Sequence, residues 1–219
     1  MIDYETIKAD AAIRTYIESA DASLAALGYT EHSFAHVTRV ATDAAEILGE
    51  LGYDTHTVDL ARIAGFMHDI GNLVNRVDHS QSGALLAFRV LDNMGMPPAD
   101  IAEIVTAIGN HDEGTGVPVS PIAAALIIAD KSDVRRSRVR NTDLQSFDIH
   151  DRVNYSVEQS VLTVSRADSS ISLSLTVDTA ISAVMEYFEI FLERMLLCRR
   201  AAERLGTTFR LDINGQRLL

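Results

Sequence analysis

Cysteine is all but missing: Cys198 stands alone in 219 residues. No disulfide can close within the chain, and the apolar helical pattern around that thiol fits burial. Positive charge is scarce too, with 19 Lys and Arg against 31 Asp and Glu and a net charge of -12. That balance argues against a generic nucleic-acid or anionic-membrane surface, because either needs a concentrated cationic face. An anionic small molecule must then be held by local positive charge or by metal. No apolar run approaches the roughly 20 residues of a bilayer span. Met1-Ile2-Asp3-Tyr4-Glu5 has no basic stretch leading into an apolar one, so no secretory leader is expected. Internal repeats, low-complexity tracts and obvious linkers are absent as well. What the chain has in quantity is apolar side chain, 47% of its residues, enough to bury a substantial core. The expectation is a soluble cytoplasmic protein.

The apolar spacing predicts a series of amphipathic helices. One runs from Asp3 to Leu27 on Ile7, Ala11, Ile17, Leu24 and Leu27, closed by Gly28. Ser33 to Leu51 sets Phe34, Val37, Val40, Ala44, Ile47 and Leu51 on one stripe, with Gly52 as the stop and His36 turned inward beside Val40. A third, from Asp54 or Thr55 to Asp69, turns Val58, Leu60, Ile63, Ala64 and Met67 inward, and Gly71 stands where it would end. Asp78 or Ser80 caps a fourth with Leu85, Leu86, Val90 and Leu91 inside and His79 at its entrance. Pro97-Pro98 opens a fifth, Ala99 to about Asn110, which delivers His111 at its end. A glycine-rich loop from Asp112 to Pro118 follows. Ser120-Pro121 then starts an almost wholly apolar helix ending in Asp130-Lys131.

Beyond Asn141 the period changes. Val157 to Ser165 and Ile171 to Val177 read as antiparallel strands, Thr179 to Leu205 as a long helix, and Phe209, Leu211 and Ile213 alternate into an Asn214-Gly215 turn. The fold expected is mainly α. A helical bundle occupies residues 1–140, and an α+β extension over 141–219 carries a small antiparallel sheet and one long helix. Such a sheet edge suits packing on the first part or pairing with a second copy in a homodimer.

Polar side chains fall at the ends and inner faces of these helices. His68 and Asp69 are adjacent, so their side chains diverge by about 100° along a helix and meet at one point only at its end. His36, His79 and His111 each arrive from a different helix, and a carboxylate such as Asp130 after a buried apolar run is costly unless paired or metal-bound. Helical bundles build metal centres from ligands converging in this way. His32, His56 and His150 lie outside the pattern and read as surface residues.

The order His36, His68-Asp69, His79, His111, Asp130 resembles the HD superfamily of metal-dependent phosphohydrolases, whose signature is H...HD...D, with the two extra histidines of its bimetallic branches. His-Asp-Ile-Gly around Asp69, His79-x-x-x-Gly83-Ala84 and Ala129-Asp130-Lys131 carry the likeness, which covers about Ser33 to Arg138. The resemblance implies one ion on His36, His68, Asp69 and Asp130, and a second on His79 and His111, with Asp69 bridging. It implies phosphorus attacked by a metal-bridging hydroxide, without a covalent protein nucleophile. A His/Asp set without thiolate suits iron, manganese, zinc, cobalt or nickel.

The function expected is therefore hydrolysis of a phosphomonoester or phosphoanhydride of a small nucleotide-like molecule, with Asp69 and Lys131 as catalytic groups. Asn72, Arg39 and Arg135 are the residues expected around the substrate. Asp112-Glu113-Gly114-Thr115-Gly116-Val117-Pro118 also resembles the loop of HD-GYP cyclic dinucleotide phosphodiesterases. It departs from that group in Asp112 for histidine, Val117 for tyrosine, and Asn72 for the lysine after His-Asp-x-Gly. A cyclic dinucleotide phosphodiesterase and a non-catalytic metal- or nucleotide-binding sensor are the alternatives.

Overall fold

A computed structural model describes residues 2–219. Where one N-terminal helix was expected there are two, α1 (Tyr4–Ala9) and α2 (Ala11–Ala26). Asp10 causes the break: it leaves helical geometry, and its carboxylate accepts from the backbone N–H of Ala12 and Ile13 to start α2. Next come α3 (Phe34–Leu51), capped by the Ser33 hydroxyl and closed by Gly52 in the left-handed region, and α4 (Thr55–Met67), capped by Asp54. A 3-10 turn, Ile70–Leu73, leads to α5 (His79–Met94), α6 (Pro98–Gly109) and α7 (Pro121–Ser132).

Helix α7 is the axis of the molecule. Every residue from Ile122 to Ala129 is buried, because α3, α4 and α6 pack around it on one side and the C-terminal helix covers the other. That surround is why its sequence shows no polar stripe. The inner face of α5 is Gly83, Ala84, Ala87 and Leu91, whereas Leu85, expected inside, is 71% exposed. Small residues take the inside there because α5 lies hard against the 3-10 turn.

The remainder is α8 (Ile149–Ser156), β1 (Val157–Ser165), β2 (Ser170–Val177), α9 (Val184–Arg204), β3 (Thr208–Ile213) and β4 (Gln216–Arg217). The sheet order is β1-β2-β3-β4. It is mixed where an antiparallel sheet was expected: β1–β2 and β3–β4 are antiparallel, but β2–β3 is parallel, matching Ile171 with Phe209, Leu173 with Leu211 and Leu175 with Ile213. The reason is α9, a crossover that returns the chain to the same end of the sheet. In α9, Tyr187, Phe191, Met195, Cys198 and Ala202 are buried, while Met185 and Leu192 face out. One continuous apolar cluster runs from Ile7 through α7 to Ile213.

Candidate metal centre

The helix ends aim at one point. His36 lies in the first turn of α3, and His68 caps α4 where the backbone leaves the helix at Asp69. His79 is the first residue of α5, entered through Asp78 at φ 55, His111 follows the cap of α6, and Asp130 sits in the last turn of α7. Two close backbone approaches set the spacing. A Cβ on Gly65 would come within 2.7 Å of the Ala41 Cα, so only glycine lets α4 rest directly on α3 and bring His68 to His36. Gly71 does not end the third helix as expected. It lies in the 3-10 turn, where a Cβ would overlap the His79 carbonyl oxygen and the Gly83 nitrogen, so its role is to let α5 carry His79 up to Asp69.

The six side chains meet. His36 Nε2 is 3.5 Å from Asp69 Oδ2 and 3.4 Å from Asp130 Oδ1; His68 Nε2 is 3.3 and 3.6 Å from the same two oxygens. On the other side, Asp69 Oδ1 is 3.6 Å from His79 Nε2, which lies 3.1 Å from His111 Nε2. One oxygen of Asp69 thus faces each group. Ligand atoms held at about 2.1 Å from a common ion stand roughly 3.0–3.5 Å apart, the spacing seen here.

The outer nitrogens fix the tautomers. Nδ1 of His68 donates to the Gly65 carbonyl at 2.8 Å, that of His111 to Ile108 at 2.6 Å, and that of His79 to Arg76 at 3.2 Å. His36 Nδ1 donates to the Asp133 carboxylate at 2.7 Å. Every Nε2 in the neutral ring then points a lone pair inward. His36 Nε2, His68 Nε2 and Asp69 Oδ2 are buried without a hydrogen-bond partner, and His79 Nε2, with the Arg76 guanidinium as its donor at 3.3 Å, faces the His111 lone pair. A cation resolves both, and the described His/Asp groups fit divalent metal.

The electrostatics agree. Burial and Arg138 oppose a charge on His36, yet the facing carboxylates of Asp130, Asp133 and Asp69 raise its pKa; burial also opposes a charge on His68, but Asp69 and Asp130 lift it to about 10. Burial alone would raise Asp69 and Asp130; the neighbouring histidines, and Lys131 beside Asp130, hold both well below the carboxylate range. His79 and His111 go the other way, lowered first by burial. The carboxylate side demands positive charge and the imidazole pair rejects protons.

The centre forms the floor of a cavity of about 460 Å3. Lys131, expected to be catalytic, lines it while 4% exposed, with Nζ 2.7 Å from Asp130 Oδ2 and 2.7 Å from Glu113 Oε2. The three residues expected around substrate lie elsewhere. Asn72 is buried behind the centre, its Nδ2 donating to Asp69 Oδ1 at 2.9 Å. Arg39 turns to the sheet, donating to the Ser160 carbonyl at 2.8 Å. Arg135 pairs with Asp133 at 2.8 Å and Glu31 at 3.1 Å. The cavity's other cations are Arg76, Arg138 and Arg194.

Two histidines read as surface residues also reach the site. His32 donates from Nδ1 to the Thr30 carbonyl and holds Nε2 4.0 Å from Asp69 Oδ2, and His150 lines the outer wall with Asp148, Asp151 and Asn154. His56 is exposed, paired with Asp100 at 2.9 Å. Asp133 was the legible omission: three residues after Asp130, it shares that residue's helix face. Glu113 lies in the loop that resembles the HD-GYP one, and Arg194 had no local signal.

Residues 33–139 match the HD domain family. An uncharacterized protein of Methanocaldococcus jannaschii is 24% identical over 180 residues, 71% of this chain and 69% of its own length. Ribonuclease Y of Streptococcus agalactiae is 30% identical over 122 residues, 54% of this chain but only 21% of that protein. Among solved structures, a predicted HD superfamily hydrolase from an uncultured Thermotogales bacterium is 28% identical, covers 57% of this chain and 67% of its own, and superposes with a TM-score of 0.45.

Proposed function

We propose that this chain, whose residues 33–139 match the HD domain family, is a metal-dependent phosphohydrolase. Its substrate is a phosphomonoester or phosphoanhydride of a small nucleotide-like molecule. The observation that carries this reading is the set of four Nε2 lone pairs gathered around the carboxylates of Asp69 and Asp130, with Asp69 offering one oxygen to each half. His36, His68, Asp69 and Asp130 would hold one divalent ion, and His79, His111 and Asp69 a second. Bound there, such ions supply an acidified water and neutralise phosphate charge.

The chain's own groups do the rest. Asn72 holds Asp69 by its Oδ1 and its backbone carbonyl, both at 2.9 Å, so the shared carboxylate cannot swing. Asp133 holds the His36 ring. Lys131 places a cation at the cavity wall beside Asp130, where it would meet phosphate oxygens or the departing group. A cavity of about 460 Å3 favours a small substrate. The likeness to a ribonuclease supports a second reading, hydrolysis of a phosphodiester, against which the net charge of -12 weighs for long RNA.

The test is a hydrolysis screen with the manganese-, iron- and zinc-loaded chain against mononucleotides, dinucleoside polyphosphates, cyclic dinucleotides and a short RNA. Turnover of a small phosphate compound that chelator abolishes and metal restores is the expected result. A metal-loaded chain inert to the whole panel would favour the sensor alternative.

A further inference from the structure

Helix α9 lies outside the HD match, yet it reaches the cavity above the metal centre. Its Arg194 is pinned on two sides. Nε donates to Glu113 Oε1 at 2.8 Å, and the guanidinium lies 4.6 Å from the centre of the Phe191 ring, one turn back on the same helix. Glu113 Oε2 in turn lies 2.7 Å from Lys131 Nζ, which is 2.7 Å from Asp130 Oδ2. An alternating chain of charges therefore runs from α9 to a metal ligand. Glu113 thus fixes both cations, one on each carboxylate oxygen.

This arrangement spends only one of the guanidinium's donor nitrogens. The two terminal nitrogens have no protein partner among the described residues, and Arg194 opens on the same cavity as Asp69 and Asp130, with its side chain 25% exposed. A planar fork oriented from behind, with its outer edge unspent, matches the oxygens of a phosphate.

Resting on the phosphohydrolase reading, we propose that Arg194 binds a phosphate oxygen of the substrate, so that the α+β portion completes the site that the HD domain begins. Glu113 is the positioning residue that aims it. The HD part supplies the ligands, and α9 supplies a cation that holds the anion against them.

Isothermal titration of the full chain, loaded with manganese, with inorganic phosphate reads this directly. Arg194→Gln should weaken phosphate at least about tenfold and Arg194→Lys about threefold, since lysine keeps charge but loses the fork, while both variants retain the parent's manganese. A second measurement needs no variant: phosphate should slow labelling of Arg194 by phenylglyoxal in the parent, followed by peptide mass spectrometry. Phosphate affinity of Arg194→Gln within twofold of the parent overturns the proposal, as does labelling of Arg194 that ignores phosphate. If Arg194→Gln does not fold, the labelling decides. Turnover separates the two claims: a parent that hydrolyses phosphate esters while Arg194 fails both tests loses this inference alone. A parent that binds phosphate through Arg194 without turnover loses the phosphohydrolase reading instead.

Discussion

Replacing Asp133 should weaken metal binding without touching a ligand. Its Oδ2 accepts from His36 Nδ1 at 2.7 Å with both side chains fully buried, and its Oδ1 is held by Arg135 at 2.8 Å. The carboxylate does two things. It fixes the tautomer that leaves Nε2 a lone pair, and its charge makes that nitrogen a better donor to a cation. Asp133→Asn keeps an acceptor for Nδ1–H but removes the charge. The loss is the difference between a charged and a neutral hydrogen bond, about 1–1.5 kcal/mol, or roughly tenfold in affinity. Asp133→Leu removes the acceptor as well and frees the proton to move to Nε2, so the loss approaches about a hundredfold. The assay is competition with a chromophoric chelator, run below each variant's unfolding temperature, since Arg135 and Arg138 also lose a partner. Affinities for Asp133→Asn and Asp133→Leu both within threefold of the parent would refute the reasoning.

Other outcomes follow from the same contacts. Gly71→Ala must push α5 from the 3-10 turn, at a cost of about 1–3 kcal/mol, and should lower metal content by removing His79 from Asp69; parent-like melting and metal content would contradict this. Burial, only partly offset by Arg39, raises Asp43 from 3.8 to about 6. A carboxyl raised on folding costs nothing below its unfolded value and its full penalty above the folded one, so the parent should lose stability relative to Asp43→Asn between about pH 4 and 6. The ceiling on that loss is about 3 kcal/mol, and superimposable urea midpoints at pH 4 and 7 would exclude it. Arg39→Ala and Arg135→Ala should each leave the Michaelis constant within about twofold, because neither side chain enters the cavity. A large rise in either would place the anion site outside the cavity.

The helices that hold the centre were legible because their signals are local. Ser33 and Gly52 bracket α3, Asp54 starts α4, and Ser120-Pro121 starts α7. The six converging side chains were legible because they fall at helix ends or on inner faces, where burial without a partner is costly. Asp10 was not, since a single carboxylate capping the next helix interrupts a period that otherwise continues. The parallel β2–β3 pair depends on where α9 returns the chain, which no alternation of side chains encodes. The cations that line the cavity were hidden for the same reason. Arg135 and Arg39 lie near the ligands in sequence, but buried Asp133 and the sheet draw them away, while Arg194 comes from more than sixty positions later because α9 packs on α7.

Metal stoichiometry tests the centre most directly. Elemental analysis of the reconstituted parent should find about two ions per chain, the His79→Ala/His111→Ala double variant about one, and Asp69→Ala close to none, because that carboxylate serves both halves. A parent that retains no more metal than Asp69→Ala would contradict the account.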